Sequence, residues 1–330
     1  MQKRIDWVDQ VKGFAIFLVV YGHNFPITEK YVYSFHMPLF FMVSGFFFPI
    51  QLNVKTLKKR FNFILVPYFI WAFALFLFWV IIGRQMGSSG GKDLSALDNF
   101  VGIFYAQGGI KYMDWGIPMW FLPTIFLCFV FYFFLKKYIH KDRIRVLSVL
   151  FLVTTGFLFT RFVGLNLPWS INVSMVALFF FAFGNLTFKY ADKISKRLSI
   201  LVMILFAVAH FFLYAQNEKI DMYRSVFGNE FLFLMNGLLG SIFVLLFFKS
   251  FPYFKFLSVV GKFTLVILAL QLLAMAFIKL FLWKVMGETE FHFSEIEKFV
   301  YSIIQICLIY PVFLIINKYI PILNGGYKKI

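Results

Sequence analysis

The amino-acid sequence predicts an all-α, polytopic membrane helix bundle with about ten transmembrane helices and both termini in the cytoplasm. Three observations carry this. Of the 330 residues, 61% are hydrophobic and 14% charged, and the mean hydropathy is +0.82; soluble domains run at about 45–50% apolar and about 25% charged. Apolar runs recur at lengths near the roughly 17–25 residues that cross a bilayer. Basic residues gather in alternate connections between these runs, as the positive-inside rule requires.

The runs justify themselves in order. Val11–Phe25 is short, should reach back toward Asp9, and leads outward from Lys3, Arg4 and Lys12. No small-x-small cleavage site follows it, so it should remain as a helix rather than be removed as a signal peptide. Val32–Ile50 returns to a connection holding Lys55, Lys58, Lys59 and Arg60. Phe61–Ile82 leads out to the connection 83–116, and Ile117–Leu135 returns to Lys136, Lys137, Lys141, Arg143 and Arg145. Val146–Val163 and Trp169–Phe188 form the next excursion, ending at Lys189, Lys193, Lys196 and Arg197. Ser199–Ala215 and Phe231–Phe248 lead back to Lys249, Lys255 and Lys262. Ser258–Leu282 and Phe299–Asn317 end at Lys318, Lys328 and Lys329. Most of the 32 Lys and Arg thus share one side, whose acids are Asp6, Asp9, Asp142 and Asp192.

The same pattern excludes several classes. A net charge of +17 would point to nucleic acid in a soluble chain; here it sets membrane orientation, and no nucleic-acid partner is expected. Cys128 and Cys307 lie in apolar runs with no CxxC, so both read as packing residues. There is no Walker loop, GxGxxG or HExxH, and no metal is expected. Residues 1–330 read as one integral membrane domain without internal repeat. The connection 83–116 opens with the Gly/Ser-rich GRQMGSSGGKDLSALDN, a loop signal. It closes with FVGIFYAQGGIKYMDW, apolar but too short to span, which fits a re-entrant or interfacial segment. A lid and a plain connector are both open readings of it.

Polar groups inside a bilayer are costly, so each one is a functional hypothesis. Lys12 and His23 are eleven residues apart, three helical turns plus about 20°, and so share a face of the first helix, with a rise of about 16 Å between them. Asp9, three residues before Lys12, can pair with it. His36 enters from outside on the second run, within YSFHMPLFFMVSGFFF, at a depth similar to His23; Pro38 and Gly45 should loosen that helix. Imidazoles exchange protons near neutral pH, which suits general base catalysis. Lys58, Lys59 and Arg60 could hold phosphates or simply set topology. Gln271 lies mid-span in the ninth run and could line a cavity or bond a neighbouring helix. His210 reads as a packed histidine, Arg161 as a snorkelling cation, and His140 and His292 as loop residues.

The stretches RIDWVDQVKGFAIFLVVYGH, FHMPLFFMVSGFFF, KKRFNFILVPYFIW, MWFLPTIFL and VGKFTLVILALQLL, in this order from about residue 4 to 272, closely resemble the acyltransferase 3 family of membrane proteins. The likeness is greatest to the branch of fucose 4-O-acetylase-like and polysaccharide O-acetyltransferases. It implies a bundle of roughly ten helices that uses acetyl-CoA from the cytoplasm and O-acetylates a carbohydrate, commonly a surface glycan or its lipid-linked precursor. It places the catalytic residues at His23, His36 and Asp9. The family's basic residue, often Arg, falls on Lys12, which keeps the charge but not the bidentate geometry. Lys58, Lys59 and Arg60 complete the expected acetyl-CoA contacts, and Ser44, Trp120 and Gln271 the expected substrate contacts. Relatives often carry His where Gln271 stands. The expected setting is a bacterial cytoplasmic (inner) membrane, with membrane lipids and the carbohydrate acceptor as partners and a homo-oligomer left open. The residues alone also admit a transporter or flippase of a lipid-linked sugar, in which buried histidines relay protons, and a structural or sensor protein.

Overall fold

The computed structural model describes residues 5–84, 93–165 and 167–326, apart from the side chains of Ala191 and Asp192. Lys3, Arg4, Lys328, Lys329, the Gly/Ser-rich stretch 85–92 and the side chain of Asp192 lie outside the described residues. The fold is all-α: among the described residues no strand forms, and one isolated bridge joins Asp221 to Val226.

The helices are α1 (Asp6–Gly22), α2 (Glu29–Tyr33), α3 (His36–Phe46), α4 (Val54–Phe78), α5 (Ala96–Tyr105), α6 (Ile110–Met113), α7 (Phe121–Tyr138), α8 (Asp142–Phe162), α9 (Ile171–Thr187), α10 (Lys196–Tyr214), α11 (Glu230–Ser250), α12 (Lys255–Val260), α13 (Thr264–Phe281) and α14 (Glu295–Tyr319). Eight helical segments among the described residues are long and apolar enough to cross a membrane: Val54–Gly83, Ile117–Tyr138, Asp142–Phe162, Pro168–Tyr190, Lys196–Tyr214, Glu230–Ser250, Thr264–Met286 and Glu295–Tyr319. The protein is a polytopic membrane helix bundle. The burial pattern fits a lipid solvent. On α10 only Ser199, Met203 and His210 are buried, a single stripe at helical spacing, while Leu201, Leu205, Val208 and Phe212 face outward.

The first two predicted runs differ from this in an informative way. α1 begins at Asp6, reaching back past Asp9, and has 17 residues, the lower limit for a span. The second run is not one helix. It divides into α2 and the 11-residue α3, because Ser34 Oγ donates to the Tyr31 carbonyl at 2.7 Å and ends α2. Pro38 lies in the first turn of α3, where its missing N–H costs nothing. Gly45 does not loosen the helix; it permits contact. A Cβ there would lie 2.0 Å from the Phe181 carbonyl oxygen of α9, and one at Gly184 would lie 2.0 Å from that of Met42. The two glycines let α3 and α9 cross backbone to backbone. The ninth run also breaks, at 261–263, into α12 and α13.

The chain forms two compact units, with the division inside α3 at Phe40–Phe41. The first comprises Met1–Phe40, Ile194–Lys219 and Phe231–Ile330; the second comprises Phe41–Lys193 and Ile220–Glu230. In the first, α1 seats on α12 through reciprocal glycines: a Cβ on Gly13 would meet the Leu257 carbonyl oxygen at 1.9 Å, and one on Gly261 the Asp9 carbonyl oxygen at 1.9 Å. Gln10 Oε1 accepts from the Phe254 amide at 2.7 Å and fixes the turn before α12. α14 starts at a capping box in which Ser294 and Glu297 satisfy each other's backbone.

In the second unit the apolar part of the 83–116 connection folds into α5 and α6. Asn99, fully buried, binds them together: Nδ2 donates to the Lys111 carbonyl at 3.1 Å and Oδ1 accepts from the Asp114 amide at 2.9 Å. Phe100 and Phe104 pack on Phe73 of α4, and Trp79 Nε1 donates to Asp114 at 2.8 Å. This is a built segment, not a slack connector. Cys128 is buried, as expected; Cys307 is exposed on the outer face of α14, so its packing role is not borne out.

Candidate active site

α1 ends at His23, which caps it. The His23 Nδ1 atom lies 3.1 Å from Gln271 Oε1 of α13. Gln271 Nε2 faces the Leu268 carbonyl at 3.4 Å, which accepts only, so the amide oxygen is the atom turned toward His23. An amide oxygen cannot donate. Nδ1 therefore carries the proton of the neutral ring, and Nε2 keeps a lone pair.

His36 opens α3 and is buried. Its Nδ1 lies 2.9 Å from the Val32 carbonyl, which fixes the same tautomer and leaves Nε2 again as the basic nitrogen. The two histidines belong to one neighbourhood. Tyr33 stacks on His36 at 4.9 Å between ring centroids, and the same Tyr33 ring packs where a Cβ on Gly22 would lie 2.8 Å away. Sequential position thus brings both imidazoles to the end of α1.

Behind His23 stands a polar network that the sequence reading missed. Asn24 Nδ2 lies 2.8 Å from both Ser302 Oγ and Gln305 Oε1 of α14. Gln305 Nε2 donates to the Gln271 backbone carbonyl at 2.9 Å, and Ser302 Oγ donates to the Lys298 carbonyl at 2.6 Å. Asn24, Gln271, Ser302 and Gln305 are all buried, and each satisfies another, which is the condition for such groups to persist in lipid. Gln305 was findable in sequence: it is a lone amide in the middle of an apolar run. Asn24 was not, because its partners are about 280 residues away.

At the other end of α1, Lys12 Nζ binds Asp9 Oδ1 at 2.8 Å, with the Asp9 side chain 6% and the Lys12 side chain 28% exposed. The expected pair is present, and the ammonium keeps partial access to solvent. No group of three or more His, Cys, Asp or Glu among the described residues could hold a metal ion.

The family model described as an acyltransferase domain, type 3, matches residues 5–318. The chain belongs to the acyltransferase 3 family. Comparison with curated proteins and with solved structures gives no significant match. The protein is therefore a membrane acyltransferase, and its match spans both units.

The other predicted contacts of this acyltransferase lie in the second unit. Lys58 and Lys59 at the start of α4 are exposed, whereas Arg60 turns inward over the Phe129 ring at 4.9 Å and donates to the Phe47 carbonyl at 3.4 Å. The three side chains point to different faces of α4, because successive helix positions lie about 100° apart. Arg60 instead has Lys136 as a companion cation: Lys136 Nζ lies 5.1 Å from the Phe48 ring, which packs on Phe129. Lys136 also reaches Asn185 Oδ1 at 3.3 Å. Ser44 is half-buried on α3. Trp120 is buried at the start of α7, and its carbonyl accepts from Thr124 at 2.9 Å. A third buried histidine, His210, sits as expected of a packed ring: Nε2 donates to Ser34 Oγ at 2.8 Å, and Tyr31 and Phe35 enclose it.

Proposed function

We propose that this acyltransferase moves an acetyl group from cytoplasmic acetyl-CoA to a hydroxyl of a carbohydrate, a surface glycan or its lipid-linked precursor, with His23 as the general base. One observation carries the reading: Gln271 holds the His23 Nδ1 proton and so leaves Nε2 as a lone pair. The likeness of its sequence blocks to the polysaccharide O-acetyltransferase branch supports the donor and the acceptor.

In the proposed step His23 Nε2 removes the proton of the sugar hydroxyl, and the oxygen attacks the thioester carbonyl carbon. The tetrahedral oxyanion collapses, the C–S bond breaks, and the thiolate leaves with the proton returned by the imidazolium. The products are the sugar acetyl ester and CoA. His36, with its Nδ1 proton on the Val32 carbonyl, offers Nε2 as an acceptor that orients the sugar hydroxyl. Orienting His23 falls to Gln271, not to His36. Asp9 fixes Lys12, the phosphate contact proposed on α1; Lys58, Lys59 and Arg60 are phosphate contacts proposed from the sequence. Ser44 and Trp120 are the acceptor contacts carried over from the resemblance. Both termini lie on the cytoplasmic side of a bacterial inner membrane, as the distribution of basic residues supports.

The test is an assay on membranes or nanodiscs with labelled acetyl-CoA and isolated surface glycan. The parent transfers label to glycan. A His23→Ala chain that inserts normally yet transfers at the parental rate overturns the reading. Label that stays on the protein when acceptor is withheld shows an acyl-imidazole intermediate in place of direct transfer. A flippase of lipid-linked sugar would show no dependence on acetyl-CoA.

A further inference from the structure

A cavity of about 430 Å³ opens in the second unit where α8 ends, lined by Phe157, Thr160, Arg161, Ser225, Asn229 and Glu230 among others. None of the residues placed in acyl transfer lines it. Its size lies in the roughly 300–1,000 Å³ range of small-molecule sites.

The walls are built rather than incidental. Asn172, 1% exposed, donates through Nδ2 to Thr160 Oγ1 at 3.1 Å and to Ser225 Oγ at 2.9 Å. It thereby clamps two lining hydroxyls from behind, while its Oδ1 is buried with no hydrogen-bond partner among the described residues. Ser225 holds a φ of 61°, a left-handed conformation that a residue with a side chain keeps only where its surroundings impose it. Asp221 and Val226 exchange both backbone hydrogen bonds at 2.9 Å and close the loop that carries Ser225. Phe157 and Phe227 meet edge to face at 5.2 Å between centroids.

The chemistry of the lining is mixed by design of its residue types. Glu230 accepts only, Arg161 donates only, and the hydroxyls and the Asn229 amide do both. The two charges cancel, so the cavity has no net preference for an anion. The phenyl rings add an apolar surface. A sugar ring has the matching features: hydroxyls that donate and accept, and a face of C–H groups.

We infer that this cavity is a carbohydrate subsite that docks a neutral sugar residue of the acceptor. The inference rests on the carbohydrate-acetylating reading and deepens it, by naming a recognition element formed entirely by other residues. Arg161 and Glu230 hold the hydroxyls, and Asn172 is a positioning residue for Thr160 and Ser225.

The experiment is saturation-transfer-difference NMR on the full chain in lipid nanodiscs, with glucose, galactose, N-acetylglucosamine, fucose and rhamnose as probes. At least one sugar gives a signal in the parent. Loss of one charged hydrogen-bonding group weakens it by about tenfold in Arg161→Ala and in Glu230→Gln. Glu230→Gln preserves size and carries the test if the arginine variant fails to insert. Absence of any sugar signal, an equal signal in a correctly inserted Glu230→Gln chain, or displacement of the sugar by inorganic phosphate overturns the inference. Failure of the acetylation reading shows separately, as parental acetyl transfer by His23→Ala.

Discussion

His23 Nδ1 and Gln271 Oε1 lie 3.1 Å apart across 248 positions of sequence, and that contact determines which imidazole nitrogen is available for chemistry. An amide does not titrate, so here the orientation of His23 is independent of pH, and only His23 itself changes charge.

His23→Ala should lower acetyl transfer by about 10²- to 10⁴-fold, the usual contribution of a general base. Gln271→Ala should lower kcat by roughly tenfold, about 1.4 kcal/mol of barrier, with the KM for acetyl-CoA unchanged. The active ring is the neutral one, so parental activity falls as pH is lowered, and this acid limb disappears from the residual activity of His23→Ala. Steady-state rates across pH check all three outcomes.

Lys12→Met should destabilise the protein, because the largely buried Asp9 carboxylate loses the cation 2.8 Å away. The double change Asp9→Asn with Lys12→Met should recover part of the lost thermal stability, and Lys12→Arg should keep most of it. Donor binding separates the two roles of Lys12: the double variant folds but binds CoA more weakly. Thermal unfolding in detergent and CoA titration are the measurements.

Gly261→Val should disrupt the seat of α1 on α12. The added Cβ would lie 1.9 Å from the Asp9 carbonyl oxygen, and neither backbone can yield cheaply. A cost of about 1–3 kcal/mol or more is expected from such overpacking. The readout is a lower unfolding temperature and a reduced yield of monodisperse protein, with Gly287→Ala as a comparison in open space.

Asn99→Leu should loosen α5 and α6 without unfolding the helices that cross the membrane. It removes a buried amide that satisfies the Lys111 carbonyl and the Asp114 amide, at about 1–3 kcal/mol for the groups left unpaired. Hydrogen exchange should speed up at the Asp114 amide and leave that of α9 unchanged.

Asp9, Lys12, His23 and His36 could be picked out from sequence because a bilayer makes any polar residue conspicuous, and because the first three lie within one stretch of chain where helical periodicity fixes their faces. The pairing of Asp9 with Lys12 is of this local kind. Asn24 and Ser302 escaped, since a hydrogen bond between the end of α1 and α14 leaves no periodic trace. The orientations of the basic trio were hidden for a related reason: Lys58, Lys59 and Arg60 are adjacent in sequence, but a helix turns adjacent side chains to different faces.

Sequence alone determined that this chain lives in a membrane, where its apolar runs fall, and which ionisable groups must answer for their burial. Those properties follow from the transfer of side chains between water and lipid, which each residue reports by itself. The tertiary structure decided the tautomers of both imidazoles, the break between α2 and α3, and the inward turn of Arg60 onto Phe129. Each of these depends on which acceptor, carbonyl or ring another segment brings within a few ångströms, a matter of packing that no single stretch of chain contains.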